Sequence, residues 1–189
     1  MALDRIQELL KLDKRFFEKV VQTDHEWDGK IFQVENLLVE LSDGSTDRRE
    51  IVRHHGGAGV CAIRDGKICL VRQYRVALGR MSLEIPAGKL DAGEDPAVCA
   101  ARELTEETGL VADKLELLAN TAGAPGFNDE KTRIFVAHGL KQGEARPDDG
   151  EFVDVVWIPI EDMVEAIRAG LIEDAKTVVS VLAAAAGIA

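Results

Sequence analysis

At 189 residues, with 46% hydrophobic and 30% charged side chains, the chain is long enough to bury a real core and reads as one domain, or one domain with a small appended element. Its 34 acidic residues against 23 basic ones give a formal net charge of −11, which argues against an extended nucleic-acid or anionic-membrane surface, because phosphate backbones are bound by basic stripes. No apolar run approaches the length of a membrane span, and the opening MALDRIQELLKLDKRFFEKVVQ is too charged for a signal peptide, so the expected location is the cytoplasm.

Along the chain, Ile6, Leu9, Leu10, Phe16, Phe17 and Val20 recur at helical spacing and predict a short amphipathic helix over residues 4 to 20. From Lys30 the pattern changes to strands: IFQVENLLVEL, the turn SDGST and RREIVRHH predict a hairpin. GGAGVCAI, KICLVRQYR and MSLEIPAG follow as apolar strands. Next comes a helix over 96 to 108: Asp95 suits the N-cap, Pro96 the first helical position, and Gly109 the left-handed residue past the end. LELLANTAG, TRIFVAHGL and EFVDVVWIPI supply further strands, and EDMVEAIRAG and IEDAKTVVSVLAAAAGIA close the chain as helices. Strands on both sides of a central helix predict an α+β fold, mixed sheets between helices. Residues 1–55 form an appended N-terminal layer and 56–189 the main domain.

Cys61, Cys69 and Cys99 have neither an even count nor a metal-ligand spacing and read as buried, reduced thiols. His25, His54, His55 and His138 show no paired ligand spacing and read as structural or surface residues.

The central helix carries the chemistry. At about 100° per residue, Arg102, Glu103, Glu106 and Glu107 fall on one arc, with Ala97, Ala101, Leu104 and Thr108 opposite, so one face packs and the other is acidic. Glu103 and Glu107 stand at i and i+4, a repulsion worth a few tenths of a kcal/mol, which a cation would offset. Magnesium is commonly held by a few carboxylates that leave room for water and substrate phosphates. Arg102 can anchor Glu94 through a bidentate bond. The plainer alternative is a solvated acidic face.

The spacing decides between them. Gly88 to Leu110 reads Gly-x5-Glu-x7-Arg-Glu-U-x-Glu-Glu-x-Gly-U, with U aliphatic, and resembles the signature of the Nudix hydrolases at every specified position. Chance agreement at seven fixed residues is on the order of one in 10⁹. Over nearly its whole length the chain resembles the ADP-ribose pyrophosphatase branch: RREIVRH at 48–54, LVRQYR at 70–75, LEIPAGKLDAGEDP at 83–96, APGFNDE at 124–130 and DDGEFVDVVWIP at 148–159 carry the likeness, and Pro125 is a mark of that branch.

The resemblance implies a Nudix α/β/α sandwich with mixed β-sheets, plus an N-terminal antiparallel β layer. It makes Glu103 and Glu107 metal ligands, joined by the Ala87 carbonyl and assisted by Glu106, around two or three Mg2+ or Mn2+ ions that bridge the phosphates. Arg75 matches a phosphate contact, and Arg49 lies in the segment used around the adenosine half, with Arg48 able to exchange roles by a one-residue register shift. Glu151 is the candidate general base, with Asp148, Asp149 and Asp154 as competitors. Two readings stand level for Glu84: reaching ribose hydroxyls or a metal, or pairing as a strand-edge acid. Trp27, Phe32 and Phe127 are the aromatics offered for adenine stacking, against core packing or a dimer contact.

The implied activity is metal-dependent hydrolysis of ADP-ribose to AMP and ribose 5-phosphate, in a homodimer whose N-terminal layer, Trp27 to His55, crosses to the partner. Neither nucleic acid nor membrane is an expected partner. The rivals are hydrolysis of another nucleoside diphosphate sugar, such as GDP-mannose or a UDP-sugar, and a Nudix-fold module that senses ADP-ribose without cutting it. All box glutamates are kept, which disfavours the sensor.

Overall fold

The computed structural model describes residues 2–146, 150 and 152–189, so Asp148, Asp149 and the general-base candidate Glu151 lie outside the described residues. The described chain divides into two compact units: one runs up to His54 and takes in Ala124–Asp129, and the other holds His55–Gly123 and Glu130–Ala189.

In the first unit, α1 (Ala2–Leu9) is half the expected length. The predicted helix to residue 20 fails because Asp13 turns the chain: its carboxylate accepts from the Arg15 amide at 3.0 Å, and its carbonyl from the Phe16 amide at 3.0 Å. The β-branched Val20 and Val21 then belong to a strand that the sequence reading did not contain, β1 (Lys19–Asp28). It pairs antiparallel with β2 (Phe32–Glu40), and β2 with β3 (Thr46–His54), giving the predicted hairpin one strand more. The segment 124–129 lies along β3. Val52 donates its amide to the Phe127 carbonyl at 2.7 Å, and the Asp129 carboxylate accepts from the His54 amide at 2.9 Å.

The second unit contains β4 (Gly57–Arg64), β5 (Lys67–Arg75), β6 (Arg80–Glu84), β7 (Ala87–Lys89), α2 (Pro96–Thr108), β8 (Leu110–Val111), β9 (Lys114–Ala122), β10 (Lys131–His138), β11 (Lys141–Gln142), β12 (Asp154–Pro159), α3 (Ile160–Arg168) and α4 (Ala175–Ala185). Its main sheet runs β12-β5-β4-β10-β9, with β6 on β5 and β7 on β4. The β10–β4 pair is parallel and the others are antiparallel, so the sheet is mixed.

Strand alternation sends successive side chains to opposite faces, and β4 shows how this builds two cores. Ala58, Val60 and Ala62 pack with Cys99, Ala100 and Leu104 of α2, while Cys61 packs with Met163 of α3 and Val181 of α4. Helices therefore cover both faces of the sheet, an α/β/α sandwich. No helix among the described residues is long and apolar enough to cross a membrane.

Candidate active site

Helix α2 occupies its predicted span because its ends are chemically marked. Asp95 accepts from the Ala97 and Val98 amides at 2.8 and 3.3 Å, and Gly109 sits at φ 71°, where its amide reaches the Thr105 carbonyl at 2.8 Å. The assignment of its faces needs correction. Ala101 is exposed, whereas Glu107 is only 2% exposed, and the side chains of Glu103 and Glu106 are 14% and 28% exposed. The acidic arc lies against β7, where glycine makes room: a Cβ on Gly88 would stand 1.9 Å from Glu103 Oε1 and 2.1 Å from its Cδ.

Arg102 gathers this arc. Its Nε and Nη2 fork onto the two Glu94 oxygens at 3.1 Å each, and its Nη1 donates to Glu103 Oε1 at 2.7 Å and Glu106 Oε2 at 2.9 Å. Hydrogen bonding to Arg102, helped by the Asp91 amide, holds the Glu94 carboxyl down at about 2. The Ala87 amide donates to Glu107 Oε2 at 2.9 Å, joining β7 to the last turn of α2. Glu94, Glu103, Glu106 and Glu107 against the one guanidinium of Arg102 leave three negative charges over these five groups.

That charge, carried by hard oxygen donors, fits divalent cations. Among the described residues no three His, Cys, Asp or Glu side chains already surround one point. Glu103 and Glu106 are turned to Arg102, and Glu107 to the Ala87 amide. Cation binding would draw the carboxylates off these donors.

Arg75 and Glu84, singled out separately in the sequence, are bound to each other. Arg75 Nε and Nη2 fork onto Glu84 Oε1 and Oε2 at 2.7 Å each, and Lys176 Nζ adds a third bond to Glu84 Oε2 at 2.5 Å. Glu84 is thus paired with two cations. The second, Lys176, was missed in the sequence, although a lone lysine in the alanine- and valine-rich closing helix was a visible signal. Burial by itself would raise the Glu84 carboxyl; the Arg75 fork and Lys176 outweigh it and bring it down to about 2.

A carboxyl held below its ordinary 4.5 contributes stability that is present above that value and fades as pH falls toward about 2. Glu84→Gln should therefore unfold at lower urea than the parent at neutral pH, with the gap closing as pH drops through that window. A gap of constant size from neutral pH down to about 2.5 would show that the charge is not its source.

Arg49, Trp27, Phe32, Pro125 and Phe127 belong to the first unit. Arg49 is engaged by Glu18, at 3.0 and 2.8 Å, and by Asp47 at 2.5 Å, and these bonds raise its pKa. Trp27 packs tilted on Phe32 with ring centroids 4.9 Å apart, over a glycine at 29 whose Cβ would overlap the indole. Pro125 is exposed, and Phe127 borders a cleft of about 510 Å³ with Val34, Asn36, Glu50 and Val52. Asp154, a competitor for the general base, is paired with Arg72 at 2.9 Å. Burial pushes the three thiols up to about 12, so they stay neutral.

The NUDIX domain family matches residues 53–179. The chain is 43% identical over 173 residues to a methanol dehydrogenase activator of Bacillus methanolicus, covering 90% of this chain and 94% of that protein. It is 40% identical over 167 residues to an ADP-ribose pyrophosphatase of Bacillus subtilis (strain 168), covering 87% and 90%. A crystal structure of an ADP compounds hydrolase superposes with a TM-score of 0.78 at 24% identity, over 91% of this chain and 97% of that one, which shows a shared fold.

Proposed function

The chain belongs to the Nudix family, and from that membership we propose that it hydrolyses the pyrophosphate of ADP-ribose to AMP and ribose 5-phosphate. The observation that carries this reading is 40% identity to an ADP-ribose pyrophosphatase along almost the full length of both chains. The complete carboxylate arc on α2 supports hydrolysis over mere binding.

Hydrolases of this family generally need divalent metal ions. Glu103 and Glu107 would hold them with the Ala87 carbonyl and Glu106, and two or three Mg2+, or Mn2+, supply a polarised phosphate and a water of lowered pKa. Arg102 fixes where the carboxylates start from, since one guanidinium spans Glu94, Glu103 and Glu106. Gly88 sets how close β7 comes to Glu103. Arg75 offers its outer edge to a phosphate while Glu84 holds its inner edge. The water oxygen bonds to one phosphorus, the bridging P–O bond breaks, and the bridging oxygen leaves on the other phosphate. Glu151 takes the water's proton in this scheme. Arg49, Trp27 and Phe127 serve the adenosine half, and Pro125 is a further substrate contact.

We further infer a homodimer that exchanges the N-terminal layer. Val20, Val21, Trp27, Ile31 and Phe32 leave large apolar side chains exposed on the first unit, as a covered surface would. Light scattering should give twice the chain mass; a monomer at micromolar concentration would remove this part.

A second reading, hydrolysis of another nucleoside diphosphate sugar, is favoured by one observation: the chain is 32% identical over 162 residues to a GDP-mannose pyrophosphatase of Cronobacter sakazakii (strain ATCC BAA-894), covering 78% of this chain and 84% of that protein. Hydrolysis of ADP-ribose, GDP-mannose, UDP-glucose and NADH with Mg2+, Mn2+ or chelator separates the two. ADP-ribose should lead in kcat/KM by about tenfold or more, with AMP as product and no turnover in chelator. Another leading substrate would keep the metal chemistry and discard ADP-ribose. Metal-dependent binding without turnover would make the chain a sensor.

A further inference from the structure

The start of α4 grips the strand end that leads into the carboxylate arc. Asp174 caps the helix, its Oδ2 accepting from the Thr177 amide at 3.0 Å and the Thr177 hydroxyl at 2.6 Å. The same hydroxyl accepts from the Ile85 amide at 2.8 Å, and Ile85 is fully buried. One residue earlier, Lys176 bonds Asp174 Oδ1 at 2.8 Å and Glu84 Oε2 at 2.5 Å. Successive side chains of one helix turn thus hold successive residues of the strand end, Glu84 and Ile85.

A chain of charges results: Asp174, Lys176, Glu84, Arg75, alternating in sign. The side chains are 20%, 16%, 5% and 41% exposed, so the row begins under cover and ends at the surface in the guanidinium. The Glu84 fork uses Arg75 Nε and Nη2, which directs the Nη1 edge away from Glu84. With Glu84 serving Arg75 alone, its whole negative charge would oppose the pull of Arg75 on an anion. Lys176 shares that carboxylate, and Asp174 keeps Lys176 aimed at it.

We propose that Lys176 and Asp174 are positioning residues that act through Glu84 to set Arg75 for a substrate phosphate. This rests on the reading of Arg75 as a phosphate contact. The closing helix is thereby part of the substrate site's support, at a distance of 92 residues in sequence from the acid it holds. Lys176 itself touches no substrate in this arrangement.

Steady-state kinetics with ADP-ribose and Mg2+ on the full chain test it, using Lys176→Met, Lys176→Arg, Arg75→Met and the Lys176→Met/Arg75→Met pair. Arg75→Met should raise KM by about tenfold or more, and Lys176→Met by about five- to tenfold with kcat within about threefold, because ground-state phosphate binding is what is weakened. Lys176→Arg should recover most of the loss. In the Arg75→Met background, Lys176→Met should change KM by less than about twofold, since the two act on one contact. A lysine that only stabilises the fold would give effects that multiply, and that result overturns the proposal. So does an unchanged KM in Lys176→Met beside a raised KM in Arg75→Met. An unchanged KM in Arg75→Met instead removes the phosphate reading beneath it, and the proposal goes with it. Should Lys176→Met fail to give a cooperative thermal melt, Lys176→Gln is measured in its place against the same criteria.

Discussion

Glu107→Gln should reduce turnover by about 10³-fold or more while leaving the melting temperature equal to that of the parent or slightly above it. Glu107 is 2% exposed and its Oε2 takes the Ala87 amide at 2.9 Å. Glutamine has the same shape, and its amide oxygen can accept the same bond, so β7 stays joined to α2. What is lost is one negative charge from a buried arc that already holds Glu103 four residues away and Glu106 beside it. For the folded chain without cations this is net relief: the attraction between Glu107 and the Arg75 guanidinium is lost, but burying a carboxylate and crowding like charges both cost stability. For catalysis it is loss, because the arc's excess charge is what a divalent cation would bind. The two effects have opposite signs, and that separates them experimentally. Mg2+ should raise the melting temperature of the parent and raise that of the variant less, since a ligand stabilises in proportion to how tightly the native state binds it. A variant with near-parental turnover would make Glu107 a structural acid that ties strand to helix, and the metal assignment would fall.

How much of this was legible in the sequence depended on the range of the interactions. The span of α2 was readable because Asp95, Pro96 and Gly109 act on their immediate neighbours. Its faces were not: a helical wheel places Glu107 with the polar arc, and only the approach of β7 at Gly88 turns that arc inward. Strand β1 was hidden because nearly all its residues are exposed, which leaves no alternation to detect. The predicted helix over 4 to 20 overran because hydrophobic spacing carries no record of a side chain such as Asp13 capturing the backbone. Arg75 and Glu84 were both picked out, but their mutual fork and the Lys176 bond join segments that only the closed sheet and α4 bring together. Arg49 was visible as a cation and not as one already engaged by Glu18 and Asp47.

Gly88→Ala should cost activity without costing much stability, about 10²-fold in turnover against less than about 1 kcal/mol in urea unfolding. The added methyl would meet Glu103 Oε1 at 1.9 Å, Cδ at 2.1 Å and Oε2 at 2.5 Å. These atoms are the far end of a flexible side chain, so the carboxylate swings aside, at the expense of its bond from Arg102 Nη1, and the backbone need not move. The swing takes a proposed metal ligand away from its place, and displacements of about 1 Å at a reacting centre suffice for losses of this size. Gly57, which faces Lys89 across the β4–β7 pair, next to the Ala58 that faces Gly88, supplies the contrast. A Cβ there would stand 2.8 Å from the Gly88 carbonyl oxygen, a backbone atom held in the ladder, and relief requires the strands to part. Gly57→Ala should therefore lower unfolding stability by about 1–3 kcal/mol, in the range of an overpacked site. Initial rates and urea curves on both variants decide the matter. If Gly88→Ala keeps its rate, the position of the Glu103 carboxylate against β7 is dispensable; if it loses stability as Gly57→Ala does, the strand and not the side chain has yielded.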